Sequence, residues 1–265
     1  MEWRSALIRG LLSDEEWAFF RPFLAEPGAE GGRPPANHRR VLDAIFWIAR
    51  TGAPWRDLPA ELGNWNSVHR QFRRWTVSGV WDVMLEALAD GGGSADALQM
   101  IDSTIVRAHH CAAGFKKGAQ EQDFGRSRGG LSTKIHLRTN ADGLPIGIIL
   151  SPGEAHDSTA YADLMDERDS DPGVLLADRG YDSDAIRQDA RDRGATPEIP
   201  TKRNRRIQHS VDHSLYALRN RIERCFNKLK NNRRIATRYD QTSSSFLGFV
   251  LLSSIRLWIK FVHAS

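Results

Sequence analysis

The chain has 265 residues, of which 40% are apolar and 26% are charged, a balance that is ordinary for a globular protein and excludes wholesale disorder. Its two cysteines are too few for a disulfide framework or a cysteine-rich zinc module, so a reducing, cytoplasmic environment is expected. The first ten residues lack the apolar core of a signal peptide. The most apolar stretch, residues 246–262, contains two serines, an arginine and a lysine, and is expected to form a buried helix rather than a membrane span.

The net charge of +4 is unevenly distributed along the chain. Residues 201–240 contain twelve lysine or arginine residues and three acidic residues, so this window carries +9 while the other 225 residues carry −5. A focused positive region of this kind is typical of proteins that bind a phosphate backbone. It also fits a solvated helix face, because basic clusters are common on protein surfaces. Charge alone therefore permits nucleic-acid binding without identifying it.

Two helices are predicted near the start of the chain. Ser13 and Glu16 have the spacing of a capping box, which predicts the beginning of a helix, and Pro22 should end or kink it. A second helix is predicted over residues 38–50, where apolar side chains recur at helical spacing, and Gly52 is expected to stop it.

A third helix is predicted over residues 66–76, with three apolar side chains on one face: Val68, Phe72 and Trp75. Three arginines fall on the other faces: Arg70, Arg73 and Arg74. A basic helix that follows another helix after a loop is typical of the recognition helix in a helix-turn-helix motif, so these arginines are candidate DNA contacts. The alternative is an ordinary basic surface helix, and the sequence does not decide between the two.

The glycine-rich run 89–96 is predicted to be a flexible linker that divides the chain into two parts. After it, predicted strands alternate with predicted helices. The strands are expected over residues 98–107, 133–139, 145–150, 174–177 and 195–199. The helices are expected over residues 157–168, 183–193, 213–232 and the apolar C-terminal stretch, with a loop over about 112–132. This order predicts an α/β domain with a mixed sheet flanked by helices.

Three acidic residues of the second part occur where chemistry is expected. Asp102 lies within an otherwise apolar predicted strand, where a carboxylate costs desolvation free energy unless it is paired or binds a cation. Asp178 directly follows the apolar strand 174–177, and ligand sites gather at the carboxyl ends of strands in open α/β sheets. Glu223 is the only acidic residue among the bases between positions 219 and 234.

Carboxylates supplied by strands and a helix fit a magnesium site for phosphoryl transfer, because hard cations take oxygen ligands and paired ions can activate a water molecule. Each acid also has an ordinary interpretation, since Asp102 can be hydrogen-bonded at a sheet edge and Glu223 can be a salt-bridge partner. Asp182 and Asp184 are interpreted as caps of the helix that follows them. The run His109–Cys111 is not expected to bind zinc, because adjacent residues of an extended chain point to opposite sides.

The chain resembles the bacterial insertion-sequence transposases of the DDE type. The most specific match is Tyr216-x2-Arg219-x3-Glu223-x6-Lys230, in which all four residues and all three spacings agree with the family's signature around its catalytic glutamate.

Other segments carry the resemblance along most of the chain. Residues 101–104 (Ile-Asp-Ser-Thr) resemble the family's first aspartate motif, and residues 177–182 (Ala-Asp-Arg-Gly-Tyr-Asp) resemble its second. Residues 129–136 and 155–158 also look typical of the catalytic domain. Residues 32–59 resemble the helical module that precedes this domain in such transposases.

The resemblance implies a ribonuclease-H-like catalytic domain over about residues 96–265, preceded by a helical, helix-turn-helix-like DNA-binding module over about residues 1–92. It implies that Asp102, Asp178 and Glu223 are catalytic and hold two Mg²⁺ ions, for which Mn²⁺ can substitute. Such enzymes bind the terminal inverted repeats of an insertion sequence, cleave there and join the freed ends to target DNA. Only 44 residues separate Asp178 from Glu223, too few for the inserted subdomain on which a hairpin mechanism depends in some relatives.

The resemblance also implies DNA contacts and partners. Tyr216, Arg219 and Lys230 are expected near the transferred or flanking strands, and the alternative for Tyr216 is a core aromatic with a satisfied hydroxyl group. The remaining expected DNA contacts are Lys134, Arg233, Arg70, Arg73 and Arg74. The expected partners are double-stranded DNA, as terminal repeats and as target, and further copies of the chain in a homodimer or larger synaptic assembly. The expected location is the bacterial cytoplasm, in association with the nucleoid and without a membrane.

Two other classes of function remain open on the sequence. One is a DNA-binding regulator or transposition inhibitor whose catalytic centre is unused, although binding alone requires none of the three carboxylates. The other is a ribonuclease-H-like nuclease that cuts DNA without joining it.

Overall fold

A computed structural model describes residues 10–24, 37–91, 97–114 and 122–263. Its α-helices are α1 (Asp14–Phe20), α2 (His38–Thr51), α3 (Trp65–Val77), α4 (Val80–Gly91), α5 (Tyr161–Asp166), α6 (Asp184–Asp192), α7 (His213–Ala217), α8 (Asn220–Lys230), α9 (Arg233–Ala236) and α10 (Ser243–Val262). Its strands are β1 (Leu98–Ala108), β2 (Gly125–Ser127), β3 (Gly130–Thr139), β4 (Pro145–Pro152), β5 (Val174–Ala177), β6 (Thr196–Glu198) and β7 (Thr237–Arg238).

The three helices predicted in the N-terminal part are confirmed. The capping box opens α1, because the Ser13 side chain accepts from the Glu16 N–H while the Glu16 side chain accepts from the Ser13 N–H. The helix α2 ends at Gly52, whose φ of 68° is the left-handed conformation that glycine adopts readily. The helix α4 continues to Gly91, so the linker predicted over residues 89–96 begins later than expected. The linker residues 92–96 lie outside the described residues.

The strands in the described ranges form one mixed sheet in the order β2-β3-β1-β5-β6, with β4 also paired to β3 and β7 also paired to β1. The central strand β1 is antiparallel to β3 and parallel to both β5 and β7. β5 pairs with β1 over Leu98–Ile101, and β7 pairs with it only at Arg107–Ala108. On that side, residues 102–106 of β1 therefore have no strand partner among the described residues, and we call this segment the open edge of β1.

The two faces of the sheet pack against different helices. Side chains alternate between faces along a strand, so Met100 and Leu176 point one way while Ile101 and Ala177 point the other. The first pair belongs to a large core shared with the N-terminal helices, α8 and α10, and the second pair belongs to a smaller core with α5 and α6. Both faces of the sheet are therefore covered by helices, as the sequence predicted.

The C-terminal helix α10 joins the N-terminal helices to the sheet. The Phe72 ring of α3 stacks on the Phe249 ring of α10 at a centroid distance of 4.4 Å. Gly248 permits this approach, since a Cβ there would lie 2.8 Å from Thr76 Oγ1. By length and composition alone α10 could cross a membrane, but 61% of its apolar stretch is buried within the fold, as predicted for a core helix.

Three predicted elements differ from the structure. The helix predicted over 213–232 is divided into α7 and α8, because Leu218, Arg219 and Ile222 donate to carbonyls three residues back, which tightens the helix there. The helix predicted over 157–168 is reduced to α5, which a short 3-10 turn precedes. Within the predicted loop 112–132, Gly130 at a φ of 100° reverses the chain, so β2 pairs with the start of β3.

Candidate active site

The first two candidate carboxylates lie side by side at the open edge of β1. Ile101 and Ala177 are the last paired residues of the parallel strands β1 and β5, and Asp102 and Asp178 directly follow them. Neighbouring strands lie about 4.8 Å apart, so this register brings the two aspartates together where β5 leaves the sheet. The strand-end position that the sequence predicted for Asp178 is therefore confirmed, and Asp102 is its neighbour.

Asp102 points toward α8 and is largely buried, with 15% of its side chain exposed. Its Oδ1 accepts from the Ser103 N–H at 2.8 Å, and its Oδ2 accepts from Arg219 Nη1 at 2.6 Å. Burial raises the pKa of Asp102 to about 6, and the charge of Asp178 adds to this, although Arg219 and the Ser103 N–H act in the opposite direction. A cation next to Asp102 is therefore favourable, because it opposes the cost of burying the carboxylate.

Asp178 begins a tight turn that leaves the sheet. Its Oδ1 accepts from the Gly180 N–H at 2.7 Å. A Cβ at Gly180 would lie 2.8 Å from that oxygen and 3.1 Å from Asp157 Oδ2, so a side chain there would collide with both carboxylates. Glycine therefore lets the chain pass closely between the two acids without displacing either carboxylate.

Glu223 is placed on the first turn of α8, with half of its side chain exposed. The opposite face of α8 is buried in the large core, which turns Glu223 toward the sheet edge and solvent. The two Nη atoms of Arg219 bond separate carboxylates, one from Asp102 and one from Glu223. A single guanidinium group therefore connects the strand acid to the helix acid, and its pair with Glu223 joins residues four apart in the chain.

The other residues of the signature lie around this connection. The Arg219 guanidinium carbon is 5.7 Å from the centroid of the half-buried Tyr216 ring. Lys230 Nζ donates to Thr104 Oγ1 at 2.6 Å and to the Ile105 carbonyl at 3.4 Å, both on the open edge of β1. Burial lowers the pKa of Lys230. The signature residues therefore follow one edge of the sheet.

The other candidate DNA contacts are placed differently. Arg233 is exposed at the start of α9. Arg70, Arg73 and Arg74 are exposed on α3, whose apolar face is buried, so the structure does not bring them together with the carboxylates. Lys134 is mostly buried on β3, and its ammonium group pairs with Asp157 at 2.7 Å.

Asp157 is a fourth carboxylate at the site and was missed by the sequence reasoning as a candidate. Its Oδ1 accepts from Lys134 Nζ and from Ser103 Oγ, the latter at 2.6 Å. Burial by itself would raise the pKa of Asp157, but the hydrogen bonds and charge of these partners lower it. The only sequence signal was its place in the segment 155–158, which resembles the family without suggesting a role.

The Tyr181 hydroxyl group is buried near these acids and has no hydrogen-bond partner within the described residues. Its pKa is raised by burial and by the charges of three carboxylates, those of Asp157, Asp102 and Asp178. A buried hydroxyl without a partner is uncommon, and it indicates a position where a bound oxygen or ion would complete the hydrogen bonding.

The interpretation of Asp182 as a helix cap is wrong. Ser183 caps α6 by accepting from the Ile186 N–H, while the Asp182 side chain is fully buried and pairs with Arg187 and Arg205. Burial alone would raise the pKa of Asp182, but the Lys202 N–H and the arginines lower it. An acid next to a helix start looks the same in sequence whether it caps or is buried, so its spacing did not reveal this contact.

No three histidine, cysteine or acidic side chains form a preformed metal-binding group in the part of the chain that the structure describes. This includes the run His109–Cys111, in which His109 Nδ1 instead contacts Cys111 Sγ at 3.1 Å. At the carboxylates, Arg219 supplies the positive charge between Asp102 and Glu223.

Comparison with known families identifies the chain. Residues 94–258 match the family described as the transposase DDE domain, and residues 12–85 match a family described as a putative transposase of the IS4/5 family. The chain belongs to the DDE transposase family. It is a transposase of the insertion-sequence kind, an enzyme that cleaves and joins DNA, and catalysis by DDE domains uses divalent metal ions.

Two relatives each match less than half of this transposase. A putative transposase for insertion sequence element IS6501 from Brucella ovis is 36% identical over 131 residues, covering 49% of this chain and 100% of the relative. An uncharacterized protein, y4sN, from Sinorhizobium fredii is 47% identical over 109 residues, covering 40% of this chain and 83% of that protein.

Among solved structures, the transposase is similar to the piggyBac transposase in its synaptic complex with hairpin DNA. The TM-score is 0.51 at 11% sequence identity, and the match covers 97% of this chain and 72% of the other. At this identity the similarity concerns the fold alone. It confirms the ribonuclease-H-like α/β fold, with a mixed sheet flanked by helices, that the sequence implied.

Proposed function

We propose that this transposase binds the terminal inverted repeats of its insertion sequence and cuts and joins DNA at a centre formed by Asp102, Asp178 and Glu223. The observation that carries the proposal is the parallel register of β1 and β5, which ends in adjacent aspartates at an open sheet edge. Arg219 connects one of these aspartates to Glu223 on α8. Carboxylates from β1, from the residue after β5 and from α8 would thus act together at one edge of the sheet.

The residues at this place fit Mg²⁺. The available donors are carboxylate and hydroxyl oxygens, which hard cations prefer, and the unpartnered Tyr181 hydroxyl group faces the charges of three carboxylates. Asp102, Asp178 and Glu223 would hold two Mg²⁺ ions, and Mn²⁺ would substitute for them. When bound, such a pair supplies activation of the attacking oxygen and stabilisation of the leaving oxygen in an in-line phosphoryl transfer.

Arg219 would change partners when the site is loaded. In the structure its guanidinium group neutralises Asp102 and Glu223. Carboxylates that bind a cation no longer need this pairing, so the planar guanidinium fork becomes free to bond a DNA phosphate with two parallel hydrogen bonds. Arg219 would therefore stabilise the site in one state and hold DNA in the other.

The remaining DNA contacts belong to the same proposal. Lys230 would bind the strand that passes over the open edge of β1, with Tyr216 and Arg233 beside it. Lys134 would act near the acids, through an ammonium group that Asp157 orients. Arg70, Arg73 and Arg74 would contact the terminal repeats from an N-terminal module over about residues 1–92, ahead of a catalytic domain over about residues 96–265.

The assembly and the location complete the proposal. Pairing two element ends requires at least two active sites, so a homodimer or larger synaptic complex would form on double-stranded terminal and target DNA. The transposase would work at the nucleoid in the bacterial cytoplasm, without a membrane.

The substitution Asp178→Asn tests the proposed centre, because it retains the oxygen that accepts from the Gly180 N–H while removing the charge. Mg²⁺-dependent cleavage of DNA that carries the element's end should fall by at least about a hundredfold, since even second-shell changes at metal sites cost about ten- to a hundredfold. Binding of the same DNA should be largely unchanged. Asp192→Asn, at an exposed position on α6, is the matched control, and normal cleavage by the Asp178 variant would refute the assignment.

A further inference from the structure

We propose that residues 201–209, which we call the basic loop, form a DNA-binding surface separate from the carboxylate centre. The loop lies in the chain between β6 and α7, at the start of the +9 window, and none of the individual residues expected to contact DNA falls within it. This inference rests on the proposed function, because it takes the DNA to be held for cutting at Asp178.

The basic loop is closed by its own hydrogen bonds. At its base, Thr201 Oγ1 accepts from the His209 N–H at 2.8 Å and donates to the His209 carbonyl at 3.2 Å. Across it, Gln208 Nε2 donates to the carbonyl groups of Lys202 and Arg205, at 3.3 Å and 2.8 Å. Compact closed loops of this length hold their side chains in fixed positions and are frequently functional.

The buried Asp182 side chain anchors the loop next to the candidate active site. It accepts from the Lys202 N–H at 2.8 Å, pairs with Arg205 at 3.1 Å and pairs with Arg187 at 2.9 Å. A buried carboxylate requires such partners, so the loop cannot leave without a cost in free energy. Asp182 is four residues from Asp178, which limits their separation to about 14 Å.

The charges of the loop fall into two groups. Arg205 is occupied by the carboxylates of Asp182 and Asp184. Lys202, Arg203 and Arg206 are exposed, and none of the three pairs with an acidic side chain in the ranges that the structure describes. One arginine therefore fixes the loop while three cations remain available to a ligand.

This arrangement fits the phosphate backbone of DNA. Each DNA strand carries one charge per about 3.4 Å of helix axis, so the distance of about 14 Å corresponds to about four nucleotides. A strand whose scissile phosphate lies at Asp178 would therefore pass the basic loop within a few nucleotides of the cut. Cations on a fixed loop contact such a strand through its charge, independently of its base sequence.

The dependence of DNA binding on salt tests the loop. The transposase and the double variant Arg203→Gln/Arg206→Gln are titrated onto a fluorescent duplex of scrambled sequence, in EDTA so that cleavage does not occur. The slope of log K against log salt should be smaller by about 2 in the variant, because each phosphate contact contributes about 0.9. When salt rises from about 50 to about 200 mM, both proteins should bind more weakly. The factor by which the affinity falls should be about ten times larger for the wild type than for the variant.

A control variant of equal net charge, Arg191→Gln/Lys260→Gln, changes exposed cations outside the loop and should keep the wild-type slope. The charge-conserving variant Arg203→Lys/Arg206→Lys should also keep it, which separates loss of contact from loss of folding. Equal slopes for the loop variant and the control, with cleavage by the wild type intact, would overturn the loop proposal alone. A wild type that neither binds the duplex nor cleaves end DNA would overturn the proposed function instead.

Discussion

Arg219 is the side chain that connects the proposed catalytic residues. Its contact with Glu223 is local, because residues four apart on a helix are neighbours, and the sequence offered such a salt bridge only as the ordinary interpretation of Glu223. Its contact with Asp102 could not be predicted in the same way, since it depends on how α8 packs across β1, more than a hundred residues away in the chain.

The candidate acids differ in how far the sequence predicted them. Asp102 was recognisable because a charge inside an apolar strand is costly unless it is paired or binds a cation. Asp178 was recognisable because ligand sites gather at the carboxyl ends of strands in open α/β sheets. Asp157 carried no such signal, since it lies in a short turn whose partners, Lys134 and Ser103, come from two other strands. Buried polar contacts of this kind are decided by tertiary packing and not by local pattern.

His136 provides a prediction about stability at the residue scale. Its side chain on β3 is buried, and burial lowers its pKa from 6.5 to about 4. The ring is therefore neutral in the folded chain above about pH 4, whereas in the unfolded chain it takes up a proton below about pH 6.5. The free energy of unfolding is consequently highest above about pH 6.5 and decreases as the pH falls toward about 4. Each pH unit in this range costs about 1.4 kcal/mol.

Urea unfolding at pH 7 and pH 5 measures this effect. The wild type should lose about 2 kcal/mol more between the two pH values than the variant His136→Gln, which has no titrating ring. Equal losses of unfolding free energy for the two proteins would contradict this, because they would mean that the His136 ring is protonated as readily in the folded chain as in the unfolded chain.

At the scale of elements, α3 has one buried apolar face and one exposed basic face. Its apolar residues pack against α10, where Gly248 lets the two helices approach closely. The sequence predicted this helix and its apolar face because helical spacing is a local property. The partner helix was not predictable, because the contact joins distant parts of the chain. The three arginines lie on the remaining face, which is exposed to solvent.

Replacing Arg70, Arg73 and Arg74 by glutamine tests whether α3 recognises sequence. Binding to the terminal repeats should weaken more than binding to random DNA, because base contacts carry specificity whereas phosphate contacts do not. Electrophoretic or anisotropy titrations on both DNAs measure the difference. A control removes three exposed cations elsewhere, Arg21, Arg191 and Lys260, and equal losses on both DNAs in the α3 variant would mean that only phosphates are contacted.

At the scale of the whole molecule, the +9 window is less uniform than its sequence suggests. Arg234 pairs with Asp240 in the interior, and Arg238 is fully buried with Thr133 and backbone carbonyls as partners. The available charge is instead concentrated in the basic loop and along α8 and α9. Counting charges indicated a candidate DNA-binding region, but only the fold separates the structural arginines from the exposed ones.

The predicted division into two parts has a physical complication. The N-terminal helices share one hydrophobic core with α8, α10 and one face of the sheet. A boundary near residues 92–96 follows from composition, which says nothing about packing between residues far apart in sequence. The two-domain organisation therefore stays a prediction, and the N-terminal helices are positioned by the same core that supports the candidate active site.

Strand transfer by the variant Glu223→Gln is the most direct test of the claim that Asp102, Asp178 and Glu223 form one catalytic centre. Pre-cleaved element ends, target DNA and Mg²⁺ are supplied, so joining is measured without the earlier cut, and Glu86→Gln on α4 is the exposed control. The predicted result is joining by the wild type and the control, and a loss of at least about a hundredfold in the Glu223 variant with DNA binding retained. Joining at the wild-type rate by the Glu223 variant would contradict the claim.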